Sequence, residues 1–160
     1  MIRNLLTFTR DYQTMGVSTP AWLDIGAVLE KVLSQFDLGT IIVRNRLQGI
    51  SVCADPLLEK VMYTLVDNAM RHGEKISTIR AYAQEREGGI ACIFEDDGVG
   101  VPAGLKEKIF EHGIGQGSGV GLFIAREILA VTEMTIEETG EPGAGARFEI
   151  FVPAGKFRKV

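Results

Sequence analysis

The chain is poor in several residue types, and each shortage narrows what it can be. Its 160 residues include two cysteines, two histidines, five prolines and one tryptophan. Cys53 and Cys92 lie far apart, each in an apolar run. They read as reduced core residues rather than a disulfide framework. No apolar run approaches the ~20 residues that cross a bilayer, and the start Met1-Ile2-Arg3-Asn4 lacks the apolar stretch of a secretory leader. The expected location is therefore cytoplasmic, with no membrane contact by this domain. Cationic charge is not in excess: 17 Lys and Arg stand against 21 Asp and Glu, a net charge of −4. That balance argues against a general binder of nucleic acid. A Gly-Lys-Ser/Thr signature is also missing, which excludes a P-loop. There are no internal repeats and no low-complexity tract.

What is present fits one globular domain of ordinary size, with 46% hydrophobic and 24% charged residues. Glycine is plentiful, and five glycines alternate from Gly113 to Gly121, running into a helical segment expected over Val120 to Thr132. Glycine lets a ligand approach the backbone closely, and a helix start offers unpaired N–H groups with partial positive charge. The stretch is thus either a seat for a phosphate chain or a flexible connector.

Before it, the chain alternates helices and strands. Ile2 to Met15 has a loose helical period and reads as a helix end, and Gly16 to Pro20 breaks it. Asp24 is placed to cap a helix whose stripe is Ile25, Val28, Leu29, Val32, Leu33 and Phe36. Thr40 to Leu47 and Ile50 to Cys53 read as strands. Asp55-Pro56 is a strong helix start, and the helix should run to about His72. Asn68 points to its packed side, so its amide needs partners: a neighbouring backbone group, or a divalent cation. Lys75 to Glu85 and Gly89 to Glu95 form a hairpin, its second strand central and delivering Asp96 to the sheet's end. Asp96-Asp97-Gly98-Val99-Gly100 is either a plain turn or an anion set to accept a hydrogen bond from an exocyclic amine. Leu105 to Phe110 is expected as a short amphipathic helix. Met134 to Thr139 and Gly145 to Val152 make a last hairpin, followed by a basic tail. The class implied is α+β: a two-layer sandwich of a mixed, mostly antiparallel sheet with helices on one face.

Four elements come in a fixed order: Asn68-Ala69, Asp96-x-Gly98-x-Gly100, Ile109-Phe110 and Gly117-x-Gly119-x-Gly121-Leu122. The set resembles the N, G1, F and G2 boxes of the histidine-kinase ATP-binding domain, whose superfamily includes gyrase, a heat-shock chaperone and the mismatch-repair ATPases. The resemblance covers roughly residues 24–153. It implies residues 1–16 as the end of an upstream dimerisation helix, 17–23 as a linker, 24–153 as the catalytic domain and 154–160 as a loose tail.

The resemblance also implies roles. Asp96 would accept from the adenine amine, and Asn68 would ligate Mg²⁺. Arg71 would face phosphate, and His72 would make a packing or sugar contact. Gly117, Gly119 and Gly121 would offer backbone N–H groups to the phosphates. Gly98 and Gly100 would let the base lie close, and Val101, Phe110, Val120, Leu122 and Phe148 complete the nucleotide set. ATP and Mg²⁺ are the implied cofactors. The implied partners are a histidine-bearing dimerisation domain of the same parent protein and, indirectly, a response regulator; the isolated domain would be monomeric. Two departures stand out. The segment between Phe110 and Gly117 is short for a lid over ATP. Thr64 stands one turn before Asn68, where hydrolysing relatives carry a glutamate base, which disfavours a self-contained ATPase. The alternative to a kinase is a regulatory adenine-nucleotide module without phosphotransfer.

Overall fold

Asp55 starts the longest described helix with its own carboxylate. Its Oδ1 accepts from Leu57 N at 2.9 Å and its backbone carbonyl from Leu58 N at 2.9 Å. The helix, α2, then runs Leu58–His72. The computed structural model describes residues 16–72, 75–111 and 120–159. The expected helix end over Ile2–Met15 lies outside the described residues, as does the glycine-rich stretch from His112 to Gly119. In chain order the other elements are β1 (Ala21–Asp24), α1 (Ile25–Leu33), β2 (Ile42–Asn45), β3 (Ile50–Ala54), β4 (Thr78–Arg86), β5 (Gly89–Asp96), α3 (Val120–Ala130), β6 (Thr135–Glu138), β7 (Arg147–Pro153) and β8 (Phe157–Lys159).

The strands form two sheets. The larger has five strands in the order β2-β4-β5-β7-β6, with β2 and β4 parallel and the other neighbours antiparallel. The smaller is β1-β3-β8, antiparallel throughout. Asp24 does two jobs here: Oδ1 caps α1 through Ala27 N at 3.0 Å, and Oδ2 accepts from Gly49 N at 3.0 Å in the β2–β3 loop. The cap on α1 is the one its sequence implies.

The helices bury one stripe each against the larger sheet. Ile25, Leu29 and Val32 of α1, Leu58, Val61, Leu65 and Val66 of α2, and Ile128 and Leu129 of α3 are all at most 1% exposed. They meet Ile79 of β4, Ile90, Cys92 and Phe94 of β5, and Phe148, Ile150 and Val152 of β7. Strand β5 is central, as its apolar run implies. Side chains alternate across it, so Ala91 and Ile93 face the other side, where Ile93 is opposite Tyr82 and Glu149. An ionic lattice rims that side: Arg80 and Arg147 meet Glu95 at 2.8 and 3.9 Å, and Arg86 meets Glu149 at 2.5 Å. Neither cysteine is bonded to another, and burial pushes the Cys92 thiol up to about 12.

Three expectations need correction. The tail is not loose throughout: β8 pairs with β3, and the Arg158 guanidinium lies 3.6 Å from the centre of the Trp22 ring. A row of basic residues reads as solvated, but the open edge of a two-stranded pair and an aromatic face supply partners. The 17–23 linker already contains most of β1, which pairs antiparallel with β3. Leu105 to Phe110 is not one amphipathic helix; short 3₁₀ turns at Ala103–Leu105 and Lys108–Phe110 take its place. A six-residue segment with no side-chain cap closes few i to i+4 bonds, so the tighter 3₁₀ turns compete with an α-helix here.

Asp55 is 1% exposed, and its Oδ2 also accepts from Gly16 N at 2.8 Å, so one carboxylate fixes both the chain entering β1 and the start of α2. Asp55→Ala should lower the free energy of unfolding by about 2 kcal/mol. Urea denaturation reads this, and a loss below about 0.5 kcal/mol would show that Pro56 alone is enough to start the helix.

Candidate functional site

Strand β5 ends at Asp96, just past its apolar run, and α2 ends beside it. Between them lies a shallow cleft lined by Asn68, Ala69, His72, Asp96, Gly100, Val101, Ala146 and Phe148. It is a mixed surface, with an amide, an imidazole and a carboxylate set among apolar walls.

Asp96 is half-buried, and its carboxylate is held from one side. Oδ1 accepts from Gly98 N at 2.8 Å and from Ala146 N at 3.2 Å. Among the described residues nothing donates to Oδ2. Burial raises the pKa of Asp96 above the usual carboxylate value, and the two backbone N–H groups pull it partly back. The backbone is committed as well, since Asp96 N donates to Ala146 O at 3.0 Å.

Two glycines make this arrangement possible. Gly100 has φ +75°, and a Cβ there would lie 2.8 Å from Gly145 O. Gly145 has φ +112°, and its Cβ would come within 2.0 Å of Asp96 O. Any side chain at Gly145 would push the β6–β7 turn off Asp96. The turn is also tied to the Asp96 loop by Gly143 N, which donates to Val99 O at 2.8 Å.

Of the site residues implied by the sequence, Asn68, His72, Asp96, Gly100, Val101 and Phe148 come together in the cleft. Gly98 serves it through its N–H. Phe110 backs the wall, packed edge-on against Phe148 with ring centres 6.2 Å apart. Among the described residues nothing hydrogen-bonds the Asn68 amide. Arg71 is not brought to the cleft: its side chain is exposed and meets Asp67 at 3.1 Å. Gly121 and Leu122 are not in the cleft either. Gly121 lies at the α2–α3 interface, where a Cβ would sit 3.2 Å from Thr64 Cγ2, and Leu122 is buried in the core. Val120 is the first residue of α3. Gly117 and Gly119 lie outside the described residues.

Two contributors escape a reading of the sequence. Ala146 acts through its backbone, so its side chain carries no signal. Asp97, adjacent to Asp96, reads as turn chemistry, yet its carboxylate accepts from the Ser77 hydroxyl, from Ser77 N at 2.8 Å and from Thr78 N at 3.1 Å. It thereby fastens the start of β4 to the end of β5.

Residues 53–156 match the family model described as histidine kinase-, DNA gyrase B-, and HSP90-like ATPase. The chain belongs to that family. The alginate biosynthesis sensor protein KinB of Pseudomonas aeruginosa is 30% identical over 128 residues, 77% of this chain and 20% of KinB. The sensor protein PhoQ of Escherichia coli K12 is 32% identical over 96 residues, 57% of this chain and 19% of PhoQ. The chain thus spans about a fifth of these relatives. Among solved structures, the ATP-binding domain of PrrB from Mycobacterium tuberculosis superposes with a TM-score of 0.67 at 19% identity, covering 85% of this chain and 98% of that one. Full-length ShkA in complex with AMPPNP gives 0.70 at 22% identity, over 94% of this chain and 36% of that one. These likenesses agree with an α+β ATPase fold.

The donors around Asp97 hold its carboxyl down to about 2, against an ordinary 3.8. A depressed folded-state pKa gives stability that is fully present above 3.8 and is lost as pH falls towards 2. Asp96 moves the other way, since the folded state takes up its proton more readily. Urea denaturation from pH 5 to pH 2.5 should therefore show the wild type losing more stability than Asp97→Asn over this window. Parallel curves for the two proteins would contradict the role given to Asp97.

Proposed function

We propose that this chain is the ATP-binding catalytic domain of a sensor histidine kinase, presenting the γ-phosphate of ATP to a histidine on a separate dimerisation domain. The observation that carries the proposal is the Asp96 carboxylate. One oxygen is fixed by two backbone N–H groups and the other accepts from none of the described residues, directly before a glycine-permitted turn. A fixed acceptor suits an amine donor such as that of adenine, and it opposes guanine, which presents a carbonyl oxygen at that position. Val101 and Phe148 supply apolar walls for the base.

Asn68, across the cleft from Asp96, fits a hard cation: a neutral amide oxygen with no described partner, at the end of a helix. Mg²⁺ bound there would take its remaining ligands from phosphate and water and would neutralise developing charge on the phosphoryl group. To serve as a phosphate ligand Arg71 would have to leave Asp67, and an exposed pair of this kind, worth only about 0–1 kcal/mol, opposes that little. Thr64 cannot act as a base towards water. It is no carboxylate, and its hydroxyl donates to Lys60 O at 2.8 Å. An imidazole acceptor is itself a nucleophile and needs no such base. The curated relatives named above are sensor proteins, which favours the kinase over a regulatory module without transfer.

The same reading puts the domain on the cytoplasmic side of its parent protein, as a monomer when isolated, with a response regulator further along the relay. No described helix is long and apolar enough to cross a membrane.

Calorimetric titration tests the assignment. Wild-type protein should bind ATP in a Mg²⁺-dependent way and leave GTP unbound. Asp96→Asn keeps the side-chain oxygen for Gly98 and Ala146 but replaces the free acceptor with a donor. It should weaken ATP by about 10–100-fold, the worth of a hydrogen bond to a charged group. Affinity should also fall as pH drops through the raised Asp96 pKa, because protonation removes the charge that strengthens the bond from the amine and adds a donor in its place. Transfer is read with a supplied dimerisation-domain fragment of the parent protein; ATP binding without any transfer would rule out the kinase reading.

A further inference from the structure

Outside the cleft, one ion pair has no part in the chemistry above. Glu138, at the end of β6, has a fully buried side chain, and its partner Lys106 is 23% exposed. The carboxylate takes three donors: Lys106 Nζ and Gly140 N on Oε1, the latter at 3.2 Å, and Arg147 N on Oε2 at 2.9 Å. Lys106 Nζ also donates to Gly140 O at 2.6 Å. Lys106 sits between the two 3₁₀ turns, on the segment that carries Phe110 and ends at Glu111, where the glycine-rich stretch begins. Glu138 and Gly140 lead into the turn whose Ala146 N–H fixes Asp96 and whose Gly143 N–H bonds the Asp96 loop.

We propose that Lys106 is a positioning residue for nucleotide binding, tethering the Ala103–Phe110 segment to the turn that holds Asp96. The inference rests on the ATP-site reading above and deepens it. Removing two charges from water is costly, and apolar residues of similar volume commonly hold two buried surfaces together at least as well. What the ion pair adds is a single arrangement. Two backbone donors, Gly140 N and Arg147 N, orient the Glu138 carboxylate, and the ammonium can satisfy both Glu138 and Gly140 O from only one place. The position of the segment, and with it Phe110 against Phe148, is therefore locked to the same turn that orients Asp96. Untethered, the segment can shift relative to Asp96 with the core intact, and a misplacement of this kind weakens binding before it unfolds the protein.

The test compares Lys106→Met and Lys106→Arg in ATP titration, at a temperature where thermal denaturation shows each variant to be folded. Lys106→Met should raise the ATP Kd about tenfold, and Lys106→Arg, which can still reach Glu138 and Gly140 O, should stay within about threefold of wild type. A folded Lys106→Met that binds ATP like wild type would overturn the proposal and leave the pair as a stabilising contact. So would equal weakening in both variants. If Lys106→Met does not fold, hydrogen exchange of the wild type decides: ATP should protect the amides of Lys106–Phe110 and of Gly140–Arg147 together, and protection of one set alone would overturn the tether. Failure of the wild type to bind ATP would instead remove the ATP-site reading itself.

Discussion

The two-way contact between Asp96 and Ala146 is the constraint on which the site depends. The backbone of Asp96 donates to Ala146 O, and the backbone of Ala146 donates back to the Asp96 carboxylate. This joins the end of the central strand to a turn that comes fifty residues later in the chain. A half-buried carboxylate left unheld would cost about 1–3 kcal/mol or more in desolvation. Two N–H groups on one oxygen offset part of that cost while leaving the second oxygen with no described partner. The cleft is thus not a gap left by poor packing; its acid is fixed by backbone groups of the two turns that border it.

The long helix α2 serves core and cleft at once. Leu58 to Val66 bury one stripe under the sheet, while Asn68 and His72, on the last turns, reach the cleft. A helix seated by its apolar residues delivers polar groups at fixed height without any loop of its own, a more rigid presentation than a connecting segment offers. Thr64 belongs to the same economy: its methyl group meets α3 at Gly121 and its hydroxyl returns to the helix backbone.

Much of this was legible in the residues. The period of α2, the Asp24 and Asp55 caps, the apolar run of β5 and the turn after Asp96 each rest on local chemistry, and each lies where that chemistry puts it. Asn68 and Asp96 are far apart in the chain, and only the ordered set of boxes linked them. What stayed hidden is non-local. The pairing of β8 with β3 depends on an edge that forms only when the chain folds back. The role of Ala146 is a backbone role. Lys106 and Glu138 look like two ordinary surface charges until β6 and the 3₁₀ turns bring them together. Arg71 shows the reverse case: its place in the sequence suggests phosphate, while a carboxylate one turn away holds it outside the cleft.

The small sheet has a mechanical consequence. The residue that begins β1, Ala21, lies opposite Ala54 at one end of β3, and the residue that ends β8, Lys159, lies opposite Ile50 at the other. Tension applied between the chain entering β1 and the chain leaving β8 therefore runs along the strand axes in opposite directions. It loads the hydrogen bonds on both sides of β3 in shear, together, rather than opening them one at a time like a zip. A pull or twist arriving through the entering chain meets a stiff clasp and is passed on to the body of the domain, with Asp55, bonded to Gly16 and to the start of α2, as the point where it would be delivered to the helix that carries Asn68.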